Sequence, residues 1–354
     1  MWILVGDKAG DNAQIDIVRE RLDGPVEYRR LTFLARYQQG KPWFRASLDH
    51  VDPARSDALE PPWPDLVITI GRRPAMAALW IKQRSGGATR VVLFGRPKRW
   101  LDRFDLVVAP TQYAVPPAAN VLHITLPLMR VEPDRLAAAA GAWQDRLSAL
   151  PRPLIGVLVG GATFPYRLDA RTAREILSAA GGYAGPHGSL YVSTSRRTPP
   201  AAADALAAHL PAGSHLYRWG TDAGDNPYPA LLAHADGFVV TGDSISMLTE
   251  VARVGRPLAV FPLPRDDGLR ARAAAAAARL TAAAPELAGN RLLERLGIRL
   301  FPRDLARIHE WLFSHGMAVA AGTPLPRAAT GPVATDDDLE AVLARIAALR
   351  GDAR

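Results

Sequence analysis

Short apolar runs recur along this chain, each closed by glycine, proline or a small polar turn, and stretches of helical periodicity lie between several of them. Ile3–Val5, Val26–Leu31, Leu66–Ile70, Val91–Phe94, Leu106–Ala109 and Val121–Thr125 read as strands, with helical patterns at Ala13–Arg21 and Ala75–Gln83. Runs such as Leu66–Ile70 place apolar side chains on both faces of a strand. A sheet of such strands needs helices on both sides, which implies a parallel, doubly wound α/β domain.

The pattern stops at the proline-rich break Leu150-Pro151-Arg152-Pro153, after the alanine-rich segment Leu136–Leu150, and then restarts. Leu154–Val159, Ser189–Ser193, Leu216–Arg218, Phe238–Thr241 and Leu258–Phe261 read as a second set of strands. Helices are expected near Ala170–Ala180, Ala201–His209, Pro229–Ala235 and Ser246–Val254, then at Asp304–Ser314. A length of 354 residues exceeds what one core usually organises. The expected domains are therefore 1–150 and 151–330, followed at 331–354 by an amphipathic helix packing across one of them. That helix presents Leu339, Val342, Leu343, Ile346 and Leu349 on one face, behind the N-cap candidate Thr335. Arg270–Ala284, with six consecutive alanines, reads as a covering helix, and Gly322–Pro332 as a loop.

Composition narrows the chemistry. With no cysteine, a disulfide scaffold, a thiolate-bound zinc, an iron–sulfur cluster and a thiol nucleophile are all excluded. The start, Met1-Trp2-Ile3-Leu4-Val5 followed by Gly6-Asp7-Lys8, reads as a buried strand rather than a signal peptide. No apolar stretch approaches the roughly 18–20 residues of a membrane span, so the expected location is cytoplasmic, at most peripheral to a membrane. The formal charge of +8 favours anionic partners, and its dispersal along the chain argues against nucleic acid. Only Lys8, Lys41, Lys82 and Lys98 are lysines; arginine, the bidentate phosphate binder, supplies the rest.

In open α/β sheets, ligands bind at the carboxyl ends of the strands, so the loops there carry the candidates. After the first strand, Gly6-Asp7-Lys8-Ala9-Gly10-Asp11-Asn12-Ala13-Gln14 opens a helix. It is neither a P-loop nor a GxGxxG fingerprint, and either function or capping by Asp11 or Asn12 would explain it. Gly71-Arg72-Arg73-Pro74 sets two guanidiniums at another strand end, either for a phosphate or carboxylate or as a solvated pair. Gly160-Gly161 follows a strand closely enough for a diphosphate to approach the backbone, although a glycine pair is also a plain turn. Val192-Ser193-Thr194-Ser195-Arg196-Arg197-Thr198-Pro199 has hydroxyls and arginines suited to phosphate oxygens, with Thr198 alternatively capping the next helix. Gly224-Asp225-Asn226-Pro227-Tyr228 is a turn before a helix. Thr241-Gly242-Asp243-Ser244-Ile245-Ser246-Met247-Leu248-Thr249-Glu250 runs from strand into helix. Free amides there suit a phosphate, and Glu250 suits ribose hydroxyls, against the alternative of a Ser244 or Ser246 cap completed by Glu250.

The run Ser246-Met247-Leu248-Thr249-Glu250-Val251-Ala252-Arg253-Val254-Gly255-Arg256-Pro257 resembles the donor-nucleotide helix of GT-B glycosyltransferases. In that group a glutamate at the position of Glu250 binds the ribose of a UDP-sugar. The motifs at Gly6–Gln14, Gly71–Arg73, Phe104–Val108, Val159–Gly161, Thr194–Pro199, Asp225–Tyr228 and Thr241–Met247, in order from about residue 2 to 262, resemble the elongated-mitochondria (ELM-type) fission-protein family. Its bacterial members are described by similarity as glycosyltransferases, formerly as nucleoside-diphosphate-sugar epimerases. Departures fall in the first domain: Gly6-Asp7-Lys8-Ala9-Gly10 for Asp-Gly-Lys-Ala-Gly, Phe94-Gly95-Arg96-Pro97-Lys98 for a Gln-Asp-Pro-Arg segment, and Pro110-Thr111-Gln112-Tyr113 for Pro-Glu-His-Asp.

The resemblance implies two Rossmann-like domains facing a crevice, an acceptor side and a nucleotide-sugar side. It implies nucleotide contacts from Gly160, Gly161, Ser195, Arg196, Arg197, Asn226, Tyr228, Asp243, Ser244, Ser246, Met247 and Glu250, with Asp11 or Asp7 as the general base. No metal and no tightly bound cofactor are expected; the nucleoside-diphosphate sugar is a co-substrate. The expected partners are that sugar donor, a lipid-linked or saccharide acceptor, and an anionic membrane surface met by Arg96, Lys98, Arg99, Trp100 and Arg103, residues that alternatively form a solvated loop. The rival class is a non-catalytic nucleotide-sugar-binding or scaffold protein on the same fold. A short-chain epimerase is disfavoured by the missing GxGxxG and Tyr-x-x-x-Lys.

Overall fold

The computed structural model describes residues 1–7, 9–37, 45–97, 100–162, 164–222, 225–269, 271–272, 276, 304–326 and 336–351. These form two compact units. One is built on residues 1–129 and completed by the C-terminal helix; the other comprises the described residues of 130–279 and 305–333.

The first unit holds six parallel strands, β1 (Trp2–Val5), β2 (Glu27–Arg30), β3 (Leu66–Ile70), β4 (Arg90–Phe94), β5 (Leu106–Pro110) and β6 (Val121–Ile124), in the order β2-β1-β3-β4-β5-β6. Its helices α1 (Ala9–Arg19) and α2 (Arg72–Arg84) follow β1 and β3. Alternate residues of β1 enter different cores: Trp2 and Leu4 pack with Met76 and Leu79 of α2, Ile3 and Val5 with Ile15 and Val18 of α1. The second unit has β7 (Leu154–Val159), β8 (Ser189–Thr194), β9 (His215–Tyr217), β10 (Gly237–Thr241), β11 (Leu258–Phe261) and β12 (Val319–Ala320), ordered β12-β11-β10-β7-β8-β9, again all parallel. With it go α3 (Pro133–Ser148), α4 (Ala170–Ala184), α5 (Pro200–Ala208), α6 (Tyr228–His234), α7 (Ile245–Arg253) and α8 (Ala306–Ser314). Strand order reverses between β1 and β3 in one sheet and between β7 and β10 in the other, and such switch points open ligand crevices at the carboxyl edge.

The expected boundary at residue 150 moves to residue 130. The alanine-rich helix α3 buries Trp143 and Leu147 in the second unit, with Trp143 edge-on to Tyr191 at 6.5 Å and His234 Nε2 donating to the Ala140 carbonyl at 2.9 Å. The proline-rich segment is no linker. It is pinned to the sheet by Ser189 Oγ donating to Pro151 O (2.7 Å) and by Arg152 paired with Asp236 (2.9 Å). The two-residue strand β12 was not legible as a strand, being too short for any periodicity.

The last helix, α9 (Asp336–Gly351), returns to the first unit. Val342 and Ile346 are fully buried among Ile15, Leu66 and Leu128, and Asp338 Oδ2 accepts from Thr125 N at 2.8 Å. Thr335 and most of the alanine-rich segment between Arg270 and Ala284 lie outside the described residues, as do Lys8, Lys98 and Arg99.

Candidate functional site

At the β7/β10 switch point, three loops lock together around one carboxylate. Asp243, with no exposed side-chain surface, accepts through Oδ2 from Gly161 N (2.8 Å) and through Oδ1 from Thr241 Oγ1 (2.8 Å). Arg197 Nη2 stands 3.2 Å from Oδ2, and Thr241 Oγ1 in turn accepts from Gly160 N (2.8 Å). A buried carboxylate is tolerated when hydrogen bonds and a counter-charge replace its lost hydration, and here they do. Ser195 Oγ and Thr198 Oγ1 both donate to the Gly160 carbonyl, at 2.9 and 2.6 Å.

This lattice gives Gly160, Gly161, Ser195, Arg197 and Asp243 partners within the protein. Both glycine amides are spent inside the protein rather than offered to a diphosphate. A Cβ on Gly160 would lie 2.4 Å from Asp243 Oδ1, and one on Gly161 would lie 2.4 Å from Arg197 Cβ. Glycine is thus required by the close approach of these loops to one another. Thr198 does not cap α5, whose N-cap is Pro199. His309, which carried no sequence signal, donates through Nε2 to the Gly242 carbonyl at 2.8 Å, fixing the same loop from α8.

Beside the lattice, α7 begins with no side-chain cap on its N-cap residue Ser244. The expected capping alternative for Ser244 and Glu250 therefore fails. The backbone amides at its start, the half-buried Ser246 and Met247, and the exposed Arg196 are what the region offers an anion. Six positions into α7, Glu250 accepts through Oε2 from the phenol of Tyr228, at the start of α6. Burial pushes the Glu250 carboxyl up, against the opposing effects of the Tyr228 hydrogen bond and the positive charges of Arg135 and Arg253. Tyr228 is also raised, by burial and by the Glu250 charge. Asn226 Oδ1 accepts from Tyr228 N (3.1 Å), orienting the tyrosine's backbone.

In the first unit, the carboxyl ends of β1 and β3 bring Asp7 and Arg73 to 3.5 Å, and Arg73 stacks on Phe33 at 4.7 Å. Asp11 lies in the first turn of α1. Asn12 does not cap that helix; it sits inside it and donates through Nδ2 to Gly6 O (3.0 Å). Between α1 and edge strand β2 lies an open cleft of about 490 Å³ lined by Val5, Asn12, Asp16, Tyr28 and Arg30. Tyr28 donates to Asp16 at 2.7 Å, and burial with this bond pushes the phenol up to about 12.

Among the described residues no group of three or more His, Cys, Asp or Glu side chains is placed to hold a metal, and no helix is long and apolar enough to cross a membrane.

Comparison with known proteins places these loops in context. The chain is 29% identical over 219 residues to "Mitochondrial fission protein ELM1" of Arabidopsis thaliana, covering 56% of this chain but only 51% of that protein. A Rickettsia prowazekii protein described as uncharacterized is 24% identical over 307 residues, covering 76% of this chain and 85% of that one. Among solved structures, the UDP-GlcNAc 2-epimerase of Methanocaldococcus jannaschii superimposes with a TM-score of 0.46 at 9% identity, over 96% of this chain and 98% of that one. Residues 9–289 match the profile of the family described as Mitochondrial fission ELM1, and the chain belongs to that family.

Proposed function

We propose that this protein is a GT-B-type glycosyltransferase, moving a sugar from a nucleoside diphosphate to an acceptor. The observation that carries this reading is the uncapped start of α7 at a switch point, with Glu250 on the same helix. The diphosphate would lie on the amides of α7, with Ser246 and Arg196 beside it. Glu250 has one oxygen engaged by Tyr228, leaving Oε1 for a ribose hydroxyl. Helix amides and Arg196 would offset the charge that develops on the departing diphosphate, the task a metal performs elsewhere. The acceptor would bind to the first unit, with Asp7 or Asp11 taking its proton. A lipid-linked acceptor would bring the protein to an anionic membrane surface.

The test is a thermal-shift titration with UDP-, GDP-, ADP- and CMP-sugars, followed by transfer and hydrolysis assays. We expect one base to stabilise the protein, Glu250→Ala to abolish that shift, and Asp7→Asn or Asp11→Asn to lose turnover while keeping it. No shift with any nucleotide would sink the reading. A shift without turnover in the wild type would favour a binding protein, and release of an epimerised sugar would replace transferase by epimerase.

A further inference from the structure

The tyrosine that reaches Glu250 is held from both sides. Tyr228 stands between Pro227 and Pro229, whose rings fix their own φ and narrow the backbone choices of the residues before them. Pro227 is the N-cap of α6, Asn226 Oδ1 accepts from Tyr228 N at 3.1 Å, and Leu231 N donates to the Pro227 carbonyl at 2.8 Å. Behind this start Ala230, Leu231 and Leu232 are buried, and α6 packs on α3. The far end of α6 is tied to the exit of α7, where Arg256 donates through Nε to the Leu232 carbonyl (3.3 Å) and through Nη2 to the Ala233 carbonyl. Joined at both ends, the two helices keep one register, in which the phenol donates to Glu250 Oε2.

Phenylalanine would fill the same volume, so what the hydroxyl adds concerns the carboxylate. A glutamate side chain has several rotatable bonds, and ordering them when a ligand binds costs affinity. With Oε2 held by Tyr228, that ordering precedes the ligand, and Oε1 takes no hydrogen bond from a described residue. The bond also acts on charge. Burial pushes the Glu250 carboxyl up; the Tyr228 bond opposes this first, then the charges of Arg135 on α3 and Arg253 on α7. The strands under α7, β10 and β11, carry no titratable side chain, and the other titratable group of α6, His234, bonds the Ala140 carbonyl at the opposite end of that helix. Tyr228 is itself raised, by burial and by the Glu250 charge, and so remains a donor.

We propose that Tyr228 is a positioning residue of the nucleotide site, presenting Glu250 Oε1 to a ribose hydroxyl and thereby selecting a ribose over a deoxyribose. The inference rests on the glycosyltransferase reading in taking a nucleoside diphosphate as the ligand of Glu250. It gives Tyr228 a part played through Glu250, in place of a contact with the nucleotide.

The experiment titrates the full chain calorimetrically with UDP, GDP, ADP and CDP, and then with the 2′-deoxy and 3′-deoxy counterparts of whichever binds. Wild type, Tyr228→Phe, Glu250→Gln and the double variant are compared at about pH 5 to 8. We expect Tyr228→Phe to weaken the ribonucleotide about tenfold, the scale of one hydrogen bond to a charged group, and the deoxy analogue that lacks the Glu250 contact by less than about twofold. The ionised carboxylate is the better acceptor, so affinity is complete above the Glu250 pKa and is lost as pH falls through it. Without the phenol that loss should begin at a higher pH. In Glu250→Gln, adding Tyr228→Phe should change affinity no further. Carbon-13 NMR of labelled glutamate carboxyls, with Glu250 assigned through Glu250→Gln, follows the same titration without ligand, and its midpoint should rise in Tyr228→Phe. A tyrosine with a structural role alone would weaken ribose and deoxyribose forms alike and leave the pH profile in place; that result overturns the proposal. A wild type that prefers its ribonucleotide over neither deoxy analogue overturns it too, whether or not Tyr228→Phe folds. Failure of all four diphosphates to bind overturns the function reading and this one with it, whereas binding with an unmoved Glu250 midpoint overturns this one alone.

Discussion

Replacing Asp243 with asparagine tests whether the lattice at the β7/β10 switch point holds the second unit together. Oδ1 takes the hydroxyl of Thr241 and Oδ2 takes Gly161 N and faces Arg197. Asparagine keeps the shape but has one acceptor and, in place of the other, a donor. If the new amide faces Gly161, two N–H groups meet. If it faces Thr241, that hydroxyl must accept from it while already accepting from Gly160 N, and its own proton loses its partner. Either way one buried donor is orphaned, at about 1–3 kcal/mol. Loss of the Arg197 pairing adds roughly 1 kcal/mol, a modest figure because Arg197 is 45% exposed and solvent screens it. The sum is about 3 kcal/mol, or roughly 6–12 °C in the melting of a unit this size. Differential scanning calorimetry reads this directly, with urea unfolding as the second measure. A variant within about 0.5 kcal/mol of the wild type, the range of an ordinary surface change, would refute the claim that Asp243 organises these loops.

Two further outcomes are expected. Asp169 caps α4 by accepting from Thr172 N at 2.9 Å, a bond that holds its carboxyl below the usual range. Asp169→Ala should cost about 1 kcal/mol in urea unfolding near neutral pH, with the difference narrowing as acid protonates Asp169; equal stability of the two proteins at neutral pH would contradict the cap. Tyr28 has a folded value near 12 against an ordinary 10, so the folded state keeps a proton that the unfolded chain gives up. Its contribution is complete below pH 10 and is lost as pH rises towards 12. Tyr28→Phe should therefore flatten the alkaline fall in stability, and an unchanged slope would show that the half-buried phenol does not titrate in this range.

The strand-end loops could be read from the chain because the signals involved are local. An apolar run closed by glycine or a hydroxyl cluster marks a strand and its exit whatever lies elsewhere, so Gly160-Gly161, Ser195–Thr198 and Thr241–Glu250 are legible in the sequence as strand exits. Their roles were not legible in the same way. Gly160-Gly161 looks identical in sequence whether its amides face a ligand or a carboxylate some eighty residues on, and only the pairing of β7 with β10 puts Asp243 there. His309 gave no signal because its partner, Gly242, is distant in the chain. The residue-150 boundary misled because a proline-rich turn marks a break in periodicity, not which core the preceding helix joins; Trp143 decided that by packing on Tyr191.

By itself, the sequence determined the α/β class, two parallel sheets and the loops at their carboxyl edges, since side-chain periodicity and turn chemistry act over a few residues. Tertiary structure alone decided which polar groups are already satisfied: Asp243 closed within its lattice, Glu250 held by Tyr228, and Arg73 paired with Asp7 from the neighbouring strand end. The reason is that hydrogen-bond and charge partners are set by strand order, which brings together residues that no local pattern relates.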